Sequence, residues 1–436
     1  MIAILAVLAY LPALQLSFIA DDFPQIQMSR TIAEPGGFTH LYEQPIAHWR
    51  MTFFVLTYWV DRLAGLDPQI FHGVAVALHV LCCWLVYALG VCWPIDKGDK
   101  KIALIAAGFF AVFEGHQEAV MWYSAVMEML LFLFGAGALV CFMQWLQGKG
   151  RVYYGLALLS FGLAIFSKES AYIYAVLMLL PIRGADHRFV WSAGLRSSLK
   201  PILGWLPFLA MAAASVMWIA SGQVSNPRFG DGSFAITTHF PRVLAESLGR
   251  LLFIWGLLAM AALAILREWQ YLRLTIYSLI WMVLSLIPYS FLTYMNRVPS
   301  RQTYLASVGL SFLVAAAMVF VWERLGGRLV LAIAAIIFIV NVAILWRKKA
   351  EQYRTRSLPT DLLINAVRHA DGPIHIRCYP YIPLVAESAA REFGGMVVYE
   401  PEENTKQKTD GRCLEFWYKD AVGSVREVFI PPARLP

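Results

Sequence analysis

Charge is what this chain has little of. Only 15% of its 436 residues are Asp, Glu, Lys or Arg, while 59% are hydrophobic and the mean hydropathy is +0.59. A soluble domain of this length does not need to be so apolar, which excludes a chain living wholly in water and leaves a polytopic membrane protein. No Lys- or Arg-rich run interleaved with aromatics appears, so the formal net charge of +7 does not point to nucleic acid; basic residues at the cytoplasmic ends of spans give the same excess. No internal repeat is visible, and the charges sit at the ends of apolar segments, which weighs against a transporter or lipid flippase built from two related halves. The apolar opening from Met1 to Ala20 lacks a basic n-region and runs on too long for a cleaved signal peptide. It reads as the first span.

Apolar stretches of about 17–25 residues cross the ~30 Å hydrocarbon core as helices, because helices satisfy their own backbone there. About eleven are expected on that basis, near Ile2–Ala20, Phe71–Cys92, Ile102–Phe113, Val126–Leu146, Val152–Phe166, Ala171–Ile182, Ile202–Ser221, Leu251–Leu266, Leu274–Leu292, Leu305–Trp322 and Leu329–Trp346. The third, fifth and sixth are short, as tilted pieces or half-spans around a cavity would be. With the N-terminus in the cytoplasm, the compact inner turns (Ile95–Lys101, Gln147–Arg151, Arg183–Lys200, Arg267–Arg273 and Glu323–Arg328) are the basic ones, as the positive-inside rule asks. The expectation is an integral protein of a bacterial inner membrane. The longer opposite loops then hold most of the chemistry outside.

Asp21 and Asp22 follow directly on the first span and open a long outer loop, 21–70. Ionisable groups beside hydrocarbon are costly and mark candidate reaction sites. His40, His48, Arg50 and Arg62 alternate there with Trp, Tyr and Phe, a pattern of short interfacial helices. In Glu114–Met129 the side chains of His116, Glu118 and Glu128 gather near one rim. With Asp22 they offer oxygen and imidazole ligands for a divalent cation, Mg or Mn, or they are an ordinary acidic helix start. Lys168 and Glu169 interrupt an apolar hairpin, and Arg297 and Arg301 precede the tenth span with Tyr304 one turn on. Arginine's planar fork and a lysine point charge both suit phosphate, although an arginine at a span's end also snorkels to headgroups.

The order of these segments resembles the GT-C superfamily of integral-membrane glycosyltransferases, within it the transmembrane and TPR-repeat O-mannosyltransferases and their bacterial relatives. The residues that carry the resemblance are Asp21-Asp22, Trp49–Tyr87, His116–Leu131 (HQEAVMWYSAVMEMLL), FSKES from Phe166 and RQTYLASVGL from Arg301. The chain departs from the family pattern at Met51, Phe113, Ala125, Val126, Gln302 and Thr303, and its tail has no TPR repeat. The resemblance implies transfer of a sugar from a polyprenyl-phosphate donor to a hydroxyl of a protein or glycolipid acceptor on the outer face. It implies that one of Asp21 and Asp22 is the base and the other a helper on the acceptor or on a cation, with Asp21 the preferred base and either order open. Lys168, Arg297 and Arg301 would hold the donor phosphate, and His116, Glu118, Glu128, His48, Arg50 and Tyr304 would line the acceptor or metal side. A surface-polysaccharide ligase or polymerase differs mainly in acceptor.

After residue 346 the composition turns polar. A helix over Leu358–Ala370, strands in IHIRCYPYI, MVVYE, CLEFWYKD and SVREVFI, and a helix near Val385–Phe393 predict a small extracytoplasmic α/β domain over 347–436. Cys378 and Cys413 both fall in it, placed to form a disulfide in an oxidising compartment. Cys82, Cys83, Cys92 and Cys141 lie in spans as packing residues.

Overall fold

The computed structural model describes residues 1–44, 47–93, 100–182, 195–221, 235, 237–265, 271–293, 295–400 and 413–430. Several of the expected basic turns, at 95–99, 183–194 and 267–270, lie outside the described residues. The expected spans overlap helices among the described residues, but Ala171–Ile182 is two 3-10 turns around a short α-helix, Ile173–Leu177, and fewer than eleven helices are long enough to cross. Six helices are long and apolar enough to cross a membrane alone: Pro68–Cys92, Tyr123–Leu146, Lys200–Ser221, Leu272–Tyr289, Ser307–Leu325 and the outsized Gly327–His369. A pair of helices, His239–Leu252 and Trp255–Ala264, is long and apolar enough only when taken together and is bent by 78°, as in a broken span or a re-entrant loop. Ile254 sits at the bend with φ +64°, which a β-branched residue adopts only under constraint.

The first segment is shorter than its apolar run. It is α-helical over Ile2–Tyr10 and tightens to a 3-10 turn over Leu11–Gln15, where Pro12 has no N–H to continue the ladder. The chain then leaves in an extended conformation at Leu16. Ala20, immediately before the acid pair, has φ +46°, a left-handed conformation that costs a non-glycine residue energy and so must be held by its surroundings.

Helices pack closely where small residues face bulky ones, which is how lipid-embedded helices associate. A Cβ on Gly309 would collide with the Ser278 carbonyl, and one on Gly135 with the Tyr174 ring. The long outer loop is built, as its pattern predicts, from short helices: Asp22–Arg30, Gly37–Glu43 and Met51–Ala64, joined by 3-10 turns.

The Gly327–Ala343 helix does not stop at the polar boundary. It passes through a π-helical stretch, Ile344–Lys349, into Ala350–His369. The membrane part and the tail thus share one rod. The tail's strands β1 (Ile374–Cys378), β2 (Val397–Tyr399), β3 (Leu414–Lys419) and β4 (Val425–Ile430) form a sheet in the order β2-β1-β3-β4, with β1 parallel to β2 and the other pairs antiparallel. Its core joins Leu363, Val367, Ile374, Ile376, Leu414 and Phe416. Cys378 and Cys413 are joined in a disulfide. Among the spans' cysteines, Cys82, Cys83 and Cys92 are free and buried and Cys141 is free and half-buried.

This domain sits on the long loop. Arg30 bridges Asp61 (2.7 Å) in the loop and Glu392 (2.7 Å) in the Pro383–Glu392 helix. The Gln27 amide donates to the Ser388 carbonyl (2.9 Å), and Phe23 packs edge-on against Phe393. The tail is therefore on the same end of the bundle as Asp21 and Asp22.

Candidate active site at the Asp21–Asp22 end

The two acids have different surroundings. Asp22 is fully buried. The Ile19 N–H donates to its Oδ2 (2.7 Å), and the Ser124 N–H (2.8 Å) and hydroxyl both donate to its Oδ1. Burial pushes its pKa up to about 7, against the downward pull of these three donors. Asp22 thereby ties the long loop to the 3-10 turn Tyr123–Ala125. Asp21 precedes it at the start of the Asp22–Arg30 helix, half-buried, and its carboxylate has no hydrogen bond or ion pair among the described residues.

Trp122 is the shared neighbour of the acid pair and the arginine site. Its indole N–H donates to the Ile19 carbonyl (3.2 Å), and the Arg301 guanidinium lies 5.0 Å from its ring centroid, within cation–π range. Arg301 forms an ion pair with Glu118. Glu118 also accepts from the Ser300 hydroxyl (2.9 Å) and the Arg301 N–H (3.3 Å). Burial lifts the Glu118 carboxyl, but Arg301 and Ser300 outweigh it and hold the pKa below the usual value. Arg297 is exposed and has no carboxylate partner among the described residues.

Lys168 and Glu128 are both buried and form an ion pair. The Tyr289 hydroxyl donates to the second Glu128 oxygen (3.0 Å) and lies 2.8 Å from Ser170 Oγ. A buried pair survives only with its remaining oxygens satisfied, and this one is. Alongside it, Arg50 bridges Glu169 (3.1 Å). His48 lies among Tyr42, Trp49 and Trp218, and burial lowers its pKa.

Two expected rim residues face inward instead. Tyr304 is 1% exposed and its hydroxyl is 2.8 Å from His79 Nδ1. His116 is fully buried against Phe110 and Tyr304. The Ser307 hydroxyl donates to the Tyr304 carbonyl (2.7 Å) and is 2.6 Å from His116 Nε2, so His116 donates from Nε2 and its Nδ1 is left without a partner. Burial lowers the His116 pKa well below the ordinary value. These two are packing and hydrogen-bonding residues of the bundle. Both lie in the interior of the bundle, His116 at the end of the turn Glu114–His116 that precedes the short helix Gln117–Met121.

The cation reading does not fit this geometry. Asp22 is saturated by three donors, His116 is committed to Ser307, and Glu118 to Arg301. Among the described residues no group of three or more His, Cys, Asp or Glu converges on a metal position. No step below is routed through a cation.

Three bases near Glu118 were not singled out in the sequence. Arg250, on the bent pair, donates to the Val298 carbonyl (3.1 Å). Lys349, in the π-helical stretch, has its amine 4.0 Å from Glu114. Arg356, one turn past Tyr353, lies 5.5 Å from that ring's centroid.

No protein-family model matches the chain, and no curated protein matches it significantly in sequence. Its fold does match solved structures. The archaeal oligosaccharyltransferase AglB from Archaeoglobus fulgidus, in complex with an inhibitory peptide and a dolichol-phosphate, superposes with TM-score 0.50 at 14% identity over 84% of this chain and 57% of that one. The Archaeoglobus fulgidus oligosaccharyltransferase in complex with Zn and sulfate gives TM-score 0.50 at 15% identity, over 84% and 55%. ArnT from Cupriavidus metallidurans bound to undecaprenyl phosphate gives TM-score 0.46 at 14% identity, over 93% and 86%. The chain spans a little over half the length of the oligosaccharyltransferases it matches. Its fold is similar to that of these oligosaccharyltransferases, in line with the resemblance carried by the order of its motifs.

Proposed function

We propose that this protein is a membrane glycosyltransferase that moves a sugar, a hexosyl or mannosyl group, from a polyprenyl-phosphate-linked donor to an acceptor hydroxyl at the extracytoplasmic face. The observation that carries the reading is Trp122, whose ring lies against Arg301 and whose indole N–H holds the Ile19 carbonyl, two residues before the open carboxylate of Asp21. Asp21 takes the acceptor's proton as the acceptor oxygen bonds the anomeric carbon. The bond from that carbon to the phosphate oxygen breaks, and the phosphate leaves with the electron pair. The anomeric centre passes through an oxocarbenium-like state, as in glycoside hydrolysis. Arg297 and Arg301 meet the charge that grows on the departing phosphate. Asp22 positions the base by fixing Ile19 and Ser124. Lys168 supports the site through Glu128 rather than meeting phosphate itself, because its charge is already spent on that partner.

The disulfide Cys378–Cys413, on the same end as the acid pair, supports placing that end in an oxidising compartment. The acceptor is a protein or a glycolipid, the peptide-bound oligosaccharyltransferase favouring the first. Purified protein incubated with a labelled polyprenyl-phosphate sugar and hydroxyl-bearing acceptors tests the reading. Label moving to the acceptor is the expected result. Label that stays on the lipid while the lipid itself crosses a vesicle bilayer would replace the enzyme by a flippase.

A further inference from the structure

Lys168 is matched to the buried carboxylate Glu128, so its charge is largely neutralised before any substrate arrives, whereas Arg301, more exposed and paired to Glu118 through Nη1, belongs to a larger basic group. Around Glu118 and Glu114 five bases gather: Arg250, Arg297, Arg301, Lys349 and Arg356. Glu118 and Glu114 both act on Arg250 and on Lys349, Arg297 acts on Arg250, and Arg356 acts on Glu118. Two carboxylates against five bases leave an excess of three positive charges among the described residues. A concentration of positive charge at one place attracts an anion that completes it.

Two of these bases come from the helix that carries the C-terminal domain. The π-helical stretch Ile344–Lys349 shifts the helical register just before the domain begins, a distortion found mostly at functional sites. It ends on Lys349, which it brings to Glu114. One turn past Tyr353, Arg356 lies over that ring, and its carbonyl accepts from the Tyr381 hydroxyl (2.5 Å). Tyr381 in turn lies within electrostatic reach of both Asp21 and Asp22. The rod is also pinned to the first segment: the Trp346 indole donates to the Leu8 carbonyl (3.1 Å) and Arg354 to the Gln15 side chain (3.2 Å).

We propose that the helix entering the C-terminal domain is a wall of the donor site, with Lys349 and Arg356 joining Arg250 and Arg297 to hold the anionic phosphate head of the lipid. The domain is then a fixed part of the site and not an appendage. This rests on the polyprenyl-phosphate reading above. It deepens it by naming bases of that site.

The test measures binding, not transfer. Full-length protein in nanodiscs of zwitterionic lipid is titrated with a fluorescent short-chain polyprenyl monophosphate, with the matching neutral polyprenol, and with inorganic phosphate as competitor. The unaltered protein is expected to prefer the lipid phosphate to the alcohol. Lys349→Gln with Arg356→Gln should weaken lipid-phosphate binding about tenfold or more, the worth of one charged hydrogen bond, and leave alcohol binding unchanged. Arg356→Gln alone should lose about three- to tenfold by the same reckoning, and Arg356→Lys should recover part of it. Arg426→Gln, on β4 beside Asp420, should change nothing. Unchanged phosphate binding in both the double and the single variant overturns the wall while leaving the donor reading intact. An unaltered protein that binds alcohol and phosphate alike overturns both. Inorganic phosphate competing at the same concentration as the lipid would make this a free-anion site and overturn the wall as proposed.

Discussion

Asp21 and Asp22 share a peptide bond, yet one carboxylate is walled in by Ile19 and Ser124 and the other is left half-open with no partner. The bases divide in the same way: Lys168 is matched to a buried acid, while Arg297 and Arg356 have no carboxylate partner among the described residues. In both contrasts the satisfied member holds the frame and the unsatisfied one is available for chemistry. An unpartnered charge beside a membrane is costly, and a substrate that supplies the missing proton or counter-charge recovers that cost.

The sharpest way to break the contrast is to exchange the roles of the two acids. Asp21→Asn should lower turnover about 10²–10⁴-fold, the range of a positioned general base, with an unchanged thermal unfolding midpoint. Next in size, Lys168→Met should destabilise the bundle by about 3–5 kcal/mol, because it strands Glu128 in a buried site. Adding Glu128→Gln to that variant should recover much of the loss in a detergent melting series. A single loss no larger than that of a surface pair would show that Lys168 is not a frame residue.

Asp22→Ala orphans two backbone donors and should cost about 2 kcal/mol or more in the same melting series. Arg301→Ala should raise the donor KM about tenfold and leave the acceptor KM in place; a purely acceptor-side defect would move Arg301 out of the phosphate site. Asp22 also sets a pH slope. The Asp22 carboxyl ionises near 3.8 when unfolded but near 7 when folded, so the unfolded state releases its proton first. Stability should therefore fall as pH rises from about 4 to about 7 and level off above. Asp22→Asn should flatten that slope.

Much of this arrangement was legible in the residues. An acid pair ending an apolar run, a lysine inside an apolar hairpin and two arginines before a span are each conspicuous because charge is so scarce elsewhere. The tail's strands and its disulfide follow from local pattern and from two cysteines. What pairs with what was not legible, because Glu128 meets Lys168 and Glu118 meets Arg301 only after the helices have packed. His116 and Tyr304 looked like rim residues by their place in the chain, but both are buried, His116 against Ser307 and Tyr304 against His79. Arg250, Lys349 and Arg356 carried no local signal. Their role depends on a kink at Ile254 and on a helix that runs on past its apolar part.

The division of labour between the neighbouring acids is tested most directly by single-turnover transfer from a labelled polyprenyl-phosphate sugar, measured beside donor binding, in Asp21→Asn. The account predicts donor binding equal to that of the unaltered protein and a transfer rate at least about a hundredfold lower. Near-normal transfer by that variant would contradict it and return the proton to another group.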